Sequence, residues 1–158
     1  MAIDKVREHL KKWNREDNIL EFNVSSATVE LAAEALDVEP ARIAKTISLK
    51  QGESAMLVVA AGDAKIDNSK FKSEFGIKAK MLTPEEALEF TGHAVGGICP
   101  FGLKHKLPVF LDISLKRFHT IYPACGSSNS AIELTCHELE EYSLSKTWVD
   151  VCKGWQQE

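Results

Sequence analysis

Three glycines and a proline fall within seven residues at Gly96-Gly97-Ile98-Cys99-Pro100-Phe101-Gly102. Such a run brings bare backbone close to whatever lies above it, and successive free N–H groups can cradle an anion or stabilise a developing oxyanion. The same run equally describes a loop that turns a corner between Val95 and a strand beginning after Pro108, because glycine loops are common. A second small-residue loop, Ala124-Cys125-Gly126-Ser127-Ser128-Asn129-Ser130, offers hydroxyls and amides for a polar pocket or, as readily, a plain connection between strands. Lys45 is the third element. At the end of a short apolar helix a lysine neutralises helix carbonyls, and it can equally act as a point charge for a phosphate. Taken singly, each feature fits a structural role at least as well as a chemical one.

Other chemistries have less to stand on. His93, His105, His119 and His137 lack the i, i+4 spacing of a metal helix, so no metal and no cofactor is expected. Cys99 and Cys125 both lie in glycine loops, where a thiol nucleophile is conceivable, although small buried thiols are commoner. Ser127 is not in a Gly-x-Ser-x-Gly elbow, and neither a Walker loop nor a dinucleotide fingerprint is present.

The elements that must carry these residues follow from spacing and caps. Ile3, Val6, Leu10 and Trp13 form one face of a first helix. Ser25 or Ser26 can cap a second, with Val29, Ala32, Ala33 and Leu36 as its buried stripe. Pro40 suits the first turn of a short third helix through Ala44, with Lys45 where it gives way to the β-rich Thr46 to Leu49. Ala55 to Ala61 reads as a strand covered on both faces. Asp67 caps a helix ended by Gly76, and Thr83-Pro84-Glu85-Glu86 opens another ended by Gly92. Strands are expected at Val109 to Ile113, His119 to Tyr122, Ala131 to Leu134 and Trp148 to Val151, with a helix capped by Thr135. Helices and short strands mix without βαβ alternation, which predicts an α+β fold in one domain spanning 1–158.

Composition narrows the class. The chain has 158 residues, 44% hydrophobic and 27% charged, enough for a core without staples. No apolar run approaches a membrane span, Met1 to Lys5 opens an amphipathic helix rather than a signal peptide, and the four cysteines (Cys99, Cys125, Cys136, Cys152) never form Cys-x-x-Cys. These features predict a cytoplasmic protein with reduced thiols and no membrane partner. A net charge of −4 argues against holding nucleic acid by charge alone, yet leaves room for an enzyme that touches only the end of an RNA.

Taken in order, these motifs resemble the YbaK/prolyl-tRNA-synthetase-associated family of aminoacyl-tRNA editing domains. They are Ala44-Lys45-Thr46, Gly62-Asp63 with Asp67 and Lys70, and Thr91-Gly92. The Gly96 to Gly102 loop, Val109-Phe110-Leu111-Asp112, and Ala124-Cys125-Gly126 leading to Ile132-Glu133-Leu134 complete the series. The resemblance implies a mixed, barrel-like sheet flanked by helices and a free-standing deacylase. Its substrate would be tRNA, chiefly that for proline, wrongly carrying alanine, cysteine, serine or threonine. Catalytic roles would fall to Lys45, Gly96, Gly97 and Pro100, and substrate contacts to Thr46, Cys99, Gly102, Cys125, Gly126 and Ser127. Lys45 would help place the 3′ end, and the loop from Gly96 to Pro100 would lie against the ester. No protein nucleophile is implied: a hydroxyl of the terminal ribose or the substrate's own side chain takes part. An aminoacyl-tRNA synthetase is a further partner to expect.

Two departures touch the implied pocket, since the family loop usually carries Ser where Cys99 stands and Ser-Ala-Gly where Ala124-Cys125-Gly126 stands. Two rival readings remain: a catalytically silent tRNA- or synthetase-binding module on the same fold, and a metal or thiol enzyme.

Overall fold

The computed structural model describes residues 2–156. Its centre is a hairpin of β2 (Ile43–Gln51) and β3 (Ser54–Ala61), paired antiparallel along its length with Lys45 opposite Ala60. Every β3 residue after Ser54 is buried, as expected of a strand covered on both faces. The mixed six-stranded sheet has the order β8-β6-β2-β3-β5-β9. In it β5 (Val109–Asp112) runs parallel to β3, and β9 (Thr147–Val149) runs parallel to β5. On the other side β6 (Thr120–Pro123) runs parallel to β2, and β8 (Leu134–Thr135) closes antiparallel on β6. Two short ribbons complete the fold: β1 (Leu20–Glu21) with β7 (Ser130–Ala131), and β4 (Lys65–Ile66) with β10 (Cys152–Lys153).

Among the described residues five α-helices surround these strands. In α1 (Ala2–Leu10), Val6 and Leu10 point into the main core, as the apolar spacing predicts. The caps read from sequence recur in α3 (Asn68–Phe75), with Asp67 accepting from Lys70 N–H and Gly76 ending the helix. Full capping boxes start α4 (Pro84–Thr91) at Thr83/Glu86 and α5 (Cys136–Tyr142) at Thr135/Glu138.

Three expectations need correction. Lys45 does not end a helix. Pro40–Arg42 is a single 3-10 turn, and β2 already begins at Ile43, which is extended and pairs with Tyr122 of β6. The cap of α2 (Val29–Leu36) is Thr28, whose hydroxyl accepts from Leu31 N–H. Ser26 is unavailable because its N–H and hydroxyl both donate to Ser128 O. Finally, the two carboxy-terminal strand runs are broken: Ala131 pairs with β1 and Leu134 with β6, while the run expected from Trp148 to Val151 leaves the sheet after Val149, and a separate strand begins at Cys152 and pairs with β4.

The second break has a clear cause. Asp112 is fully buried at the end of β5, accepting from Ser114 N–H and Val151 N–H at 2.9 Å each. Ser114 in turn accepts from Ala61 N–H through its hydroxyl. One carboxylate thus joins the ends of β3, β5 and β9. Asp112→Asn keeps one accepting oxygen but sets an NH2 donor against the other buried N–H, and is expected to cost about 2 kcal/mol, read as a lower thermal midpoint.

Candidate active site

A cleft of about 250 Å³ opens over β2, walled by the start of α2, by Met81, Leu82 and α4, and by the glycine loop. The wall at Met81 is held by main-chain pairing to β2: Lys50 N–H donates to Lys80 O and Leu82 N–H to Ser48 O. Ala44, Thr46 and Ser48 recur at the two-residue period of a strand and all line the cleft. Thr46 Oγ1 is buried without a hydrogen-bond partner, and the Ser48 hydroxyl has none among the described residues.

Lys45 also lines the cleft, half-buried, with its ammonium donating to Gly62 O and Ala64 O in the β3–β4 turn. Burial pulls its pKa below the ordinary lysine value, and nearby acidic groups, Asp63 among them, oppose the shift. The carbonyls take two of its three N–H directions, leaving a partly desolvated cation fixed in place.

Ala94 to Gly97 is a tight turn. Gly97 N–H donates to Ala94 O at 3.0 Å, and Gly96 has φ +98° at the third position, which a glycine accepts without strain. Gly96 and Ile98 line the cleft, and their N–H groups make no hydrogen bond among the described residues. Two unpaired amides on the wall of a cleft are the donor set that a developing oxyanion requires.

Gly97 holds the two small-residue loops together. Its carbonyl accepts from Gly126 N–H at 3.0 Å, and a Cβ on it would sit 2.7 Å from Ser127 N and 2.8 Å from the Gly126 carbonyl carbon. Gly97→Ala therefore forces backbone apart, and is expected to cost about 2–3 kcal/mol and to reduce whatever activity the cleft has. A melting curve and an activity assay on the same preparation check this.

The remaining sequence-predicted site residues lie elsewhere. Cys99 and Cys125 are fully buried and do not line the cleft. Cys99 packs with Sγ 3.6 Å from both His93 Nε2 and Phe101 O, and burial pushes its thiol up to about 12; burial also raises Cys125 well above the ordinary thiol value. Gly102 sits against the Lys5 carbonyl in α1 and donates its N–H to His9 Nδ1. Gly126 lies between Gly97 and Ala2 of α1. Ser127 bonds Asn129 and Ser130, of which Ser130 reaches the cleft. Pro100 lines a second concavity. Lys45, Thr46 and Gly96 are therefore the expected residues that meet in the cleft. Ser130 joins them from the small-residue loop read as a candidate polar pocket, and Ser48 and Tyr122 join them without having been singled out. For Ser48, the alternation with Thr46 along β2 was the available signal.

His93 supports the loop from behind. It is buried, donates Nε2–H to Phe101 O at 2.7 Å, and leaves Nδ1 without a partner among the described residues. Burial lowers its pKa from 6.5, as it does that of His9. A folded-state pKa below the unfolded one means these rings are held neutral. Their contribution is present above the unfolded value and is lost as pH falls through 6.5 toward the folded values. The thermal midpoint is expected to drop as pH is lowered below 6.5, with a shallower drop in His93→Gln. Among the described residues no group of three or more His, Cys, Asp or Glu side chains could hold a metal, and no helix is long and apolar enough to cross a membrane.

The sequence model of the aminoacyl-tRNA editing domain matches residues 24–142, which takes in β2, the glycine loop and the Gly126 loop. The chain belongs to this family. Among similar proteins, the uncharacterised YwhH of Bacillus subtilis strain 168 is 59% identical over 157 residues, covering 99% of this chain and all of the relative. EbsC of Enterococcus faecalis, described as a candidate Cys-tRNA(Pro)/Cys-tRNA(Cys) deacylase, is 28% identical over 109 residues, covering 68% of this chain and 66% of that protein. The crystal structure of a candidate trans-editing enzyme for prolyl tRNA synthetase superposes with a TM-score of 0.87 at 27% identity, covering 97% and 98% of the two chains. The α+β class read from sequence, and the mixed, barrel-like sheet flanked by helices that the resemblance implies, are thus the observed ones.

Proposed function

We propose that this editing domain hydrolyses the ester of tRNA wrongly charged with a small amino acid (alanine, cysteine, serine or threonine), the tRNA for proline being the first to test. The observation that carries the reading is that one small cleft is lined both by Lys45, whose ammonium is fixed on Gly62 O and Ala64 O, and by Gly96 and Ile98, whose N–H groups are unpaired among the described residues. Membership of the family and likeness to EbsC support it. Lys45 takes a phosphate of the RNA's 3′ end as a point charge. Gly96 and Ile98 donate to the carbonyl oxygen as the ester carbon becomes tetrahedral. No thiol takes part, because Cys99 and Cys125 stay protonated and buried.

A water molecule attacks the ester carbon, the bond to the ribose oxygen breaks, and that oxygen leaves with a proton. The neighbouring ribose hydroxyl or the substrate's own side chain relays the proton, so the protein supplies position and charge stabilisation. The cleft's modest volume and its walls of Met81, Leu82 and Ile98 exclude large side chains sterically. Choice among the small ones turns on one methyl or hydroxyl, worth about 1–3 kcal/mol.

The reading is tested by an alanyl-adenosine analogue whose ester is replaced by an amide. Amide shifts are expected at Thr46, Gly96 and Ile98, and shifts confined to residues outside the cleft would count against it. Cys99→Ser is expected to leave hydrolysis within about threefold of wild type while costing about 1 kcal/mol in the packed core. A loss comparable to that in Lys45→Ala would point instead to thiol chemistry. With a net charge of −4, the domain is expected to bind uncharged tRNA weakly at physiological salt, and tight binding by filter retention would contradict this use of the acceptor end alone.

A further inference from the structure

A second concavity, of about 560 Å³, is larger than the cleft and does not contain Lys45. It lies where the segment from Pro100 to Pro108 meets the end of α5 and the approach to β9. Its floor is apolar, made by Leu103, Leu107 and Leu144 with the two prolines, and its rim carries His105, Lys106 and Lys146. No carboxylate lines it, and neither lysine makes an ion pair among the described residues. On a chain of net charge −4 this is a local reversal of sign.

The composition of the floor selects among anionic partners. Single-stranded nucleic acid is held by aromatic platforms, and no Phe, Tyr or Trp lines this pocket. Of its two histidine rings, that of His9 is occupied: Nδ1 accepts from Gly102 N–H and the Nε2 side faces Tyr142 O at 2.7 Å. Leu144 is 63% exposed and has φ +56°, a left-handed conformation that strains a branched side chain. A large apolar residue held at the water's edge in a strained backbone is the kind of outlier that marks a contact site.

We propose that this pocket docks an acidic segment of a partner protein, with one apolar side chain seated among Leu103, Leu107 and Leu144 and flanking carboxylates on Lys106 and Lys146. Charge complementarity chooses the flanks and the leucine floor chooses the anchor. The site also adjoins the cleft through packing. Leu103 and Leu107 share one small apolar cluster with Leu82 and Ile98, which wall the cleft. A docked anchor therefore presses on the cluster that supports the Ile98 amide.

The test uses the full chain and a short fluorescein-labelled synthetic peptide with a central Leu-Phe flanked by glutamates. Two controls replace Leu-Phe by serines or the glutamates by lysines. The first peptide is expected to bind, and each control to bind at least about tenfold more weakly. In the K106E/K146E variant its affinity is expected to fall at least about tenfold, with the thermal midpoint and the deacylation rate without peptide unchanged. Leu144→Ser removes part of the floor without touching charge and is expected to weaken the same peptide. Equal binding of the controls, or undiminished affinity in both variants, overturns the proposal. So does absence of peptide binding with loss of binding to an acceptor-stem RNA hairpin in K106E/K146E, because the surface would then belong to RNA.

Discussion

Replacing Lys45 by alanine is expected to slow hydrolysis of the preferred aminoacyl-tRNA by about 10²- to 10³-fold, the usual cost of losing one preorganised charge contact in a site that works by electrostatics. The ammonium is already held by Gly62 O and Ala64 O, so little ordering remains to be done when the phosphate arrives. Removing it also strips those carbonyls of a donor, which costs about 1 kcal/mol and leaves the domain folded. Lys45→Arg keeps the charge, but a planar guanidinium cannot fit the same pair of carbonyls from a half-buried strand position, so it is expected to restore little. Single-turnover rates and a melt on each variant separate the two effects. A folded Lys45→Ala protein that hydrolyses at the wild-type rate would remove the lysine from the mechanism.

Gly62→Ala is expected to be the most damaging single methyl in the fold. A Cβ there would lie 2.1 Å from Pro40 O and 2.7 Å from Val29 Cγ1. The first of these is backbone and cannot swing aside, so the turn after β3 must move away from the Pro40–Arg42 turn. The cost is about 3 kcal/mol or more, which for a domain of this size lowers the thermal midpoint by roughly 6–12 °C. Because Gly62 O is one of the two acceptors on Lys45, the displacement also moves the cation. Activity at a temperature where the variant stays folded is therefore expected to fall as well. An unchanged midpoint would show that Pro40 and Val29 yield more easily than their packing implies.

Local chemistry wrote much of this fold openly. Asp67, the Thr83/Glu86 box and the Thr135/Glu138 box are short-range signals, and all three cap the helices expected of them. What sequence misplaced was decided at long range. Ala41 to Ala44 favours a helix by propensity, but Ile43 is claimed by Tyr122 on β6. Ser26 is as good a cap as Thr28 until its N–H is taken by Ser128, 102 positions away. The site shows the same division. The glycine loop and Lys45 were conspicuous, but a loop has two sides. Gly96 and Ile98 face the cleft, Cys99 turns into the core, and Pro100 belongs to the other concavity. Nothing in the local spelling of Gly-Gly-Ile-Cys-Pro distinguishes those sides, because the choice is made by Gly97 packing on Gly126 and Gly102 packing on α1.

The most direct measurement of the central claim is single-turnover hydrolysis of one tRNA for proline charged in turn with alanine, cysteine, serine, threonine, proline and phenylalanine, each with and without the editing domain. At least one of the four small amino acids is expected to be released well above the spontaneous rate, with phenylalanine retained and the enhancement lost in Lys45→Ala. Release of all six at the spontaneous rate would contradict the account, leaving the cleft a binding site without catalysis.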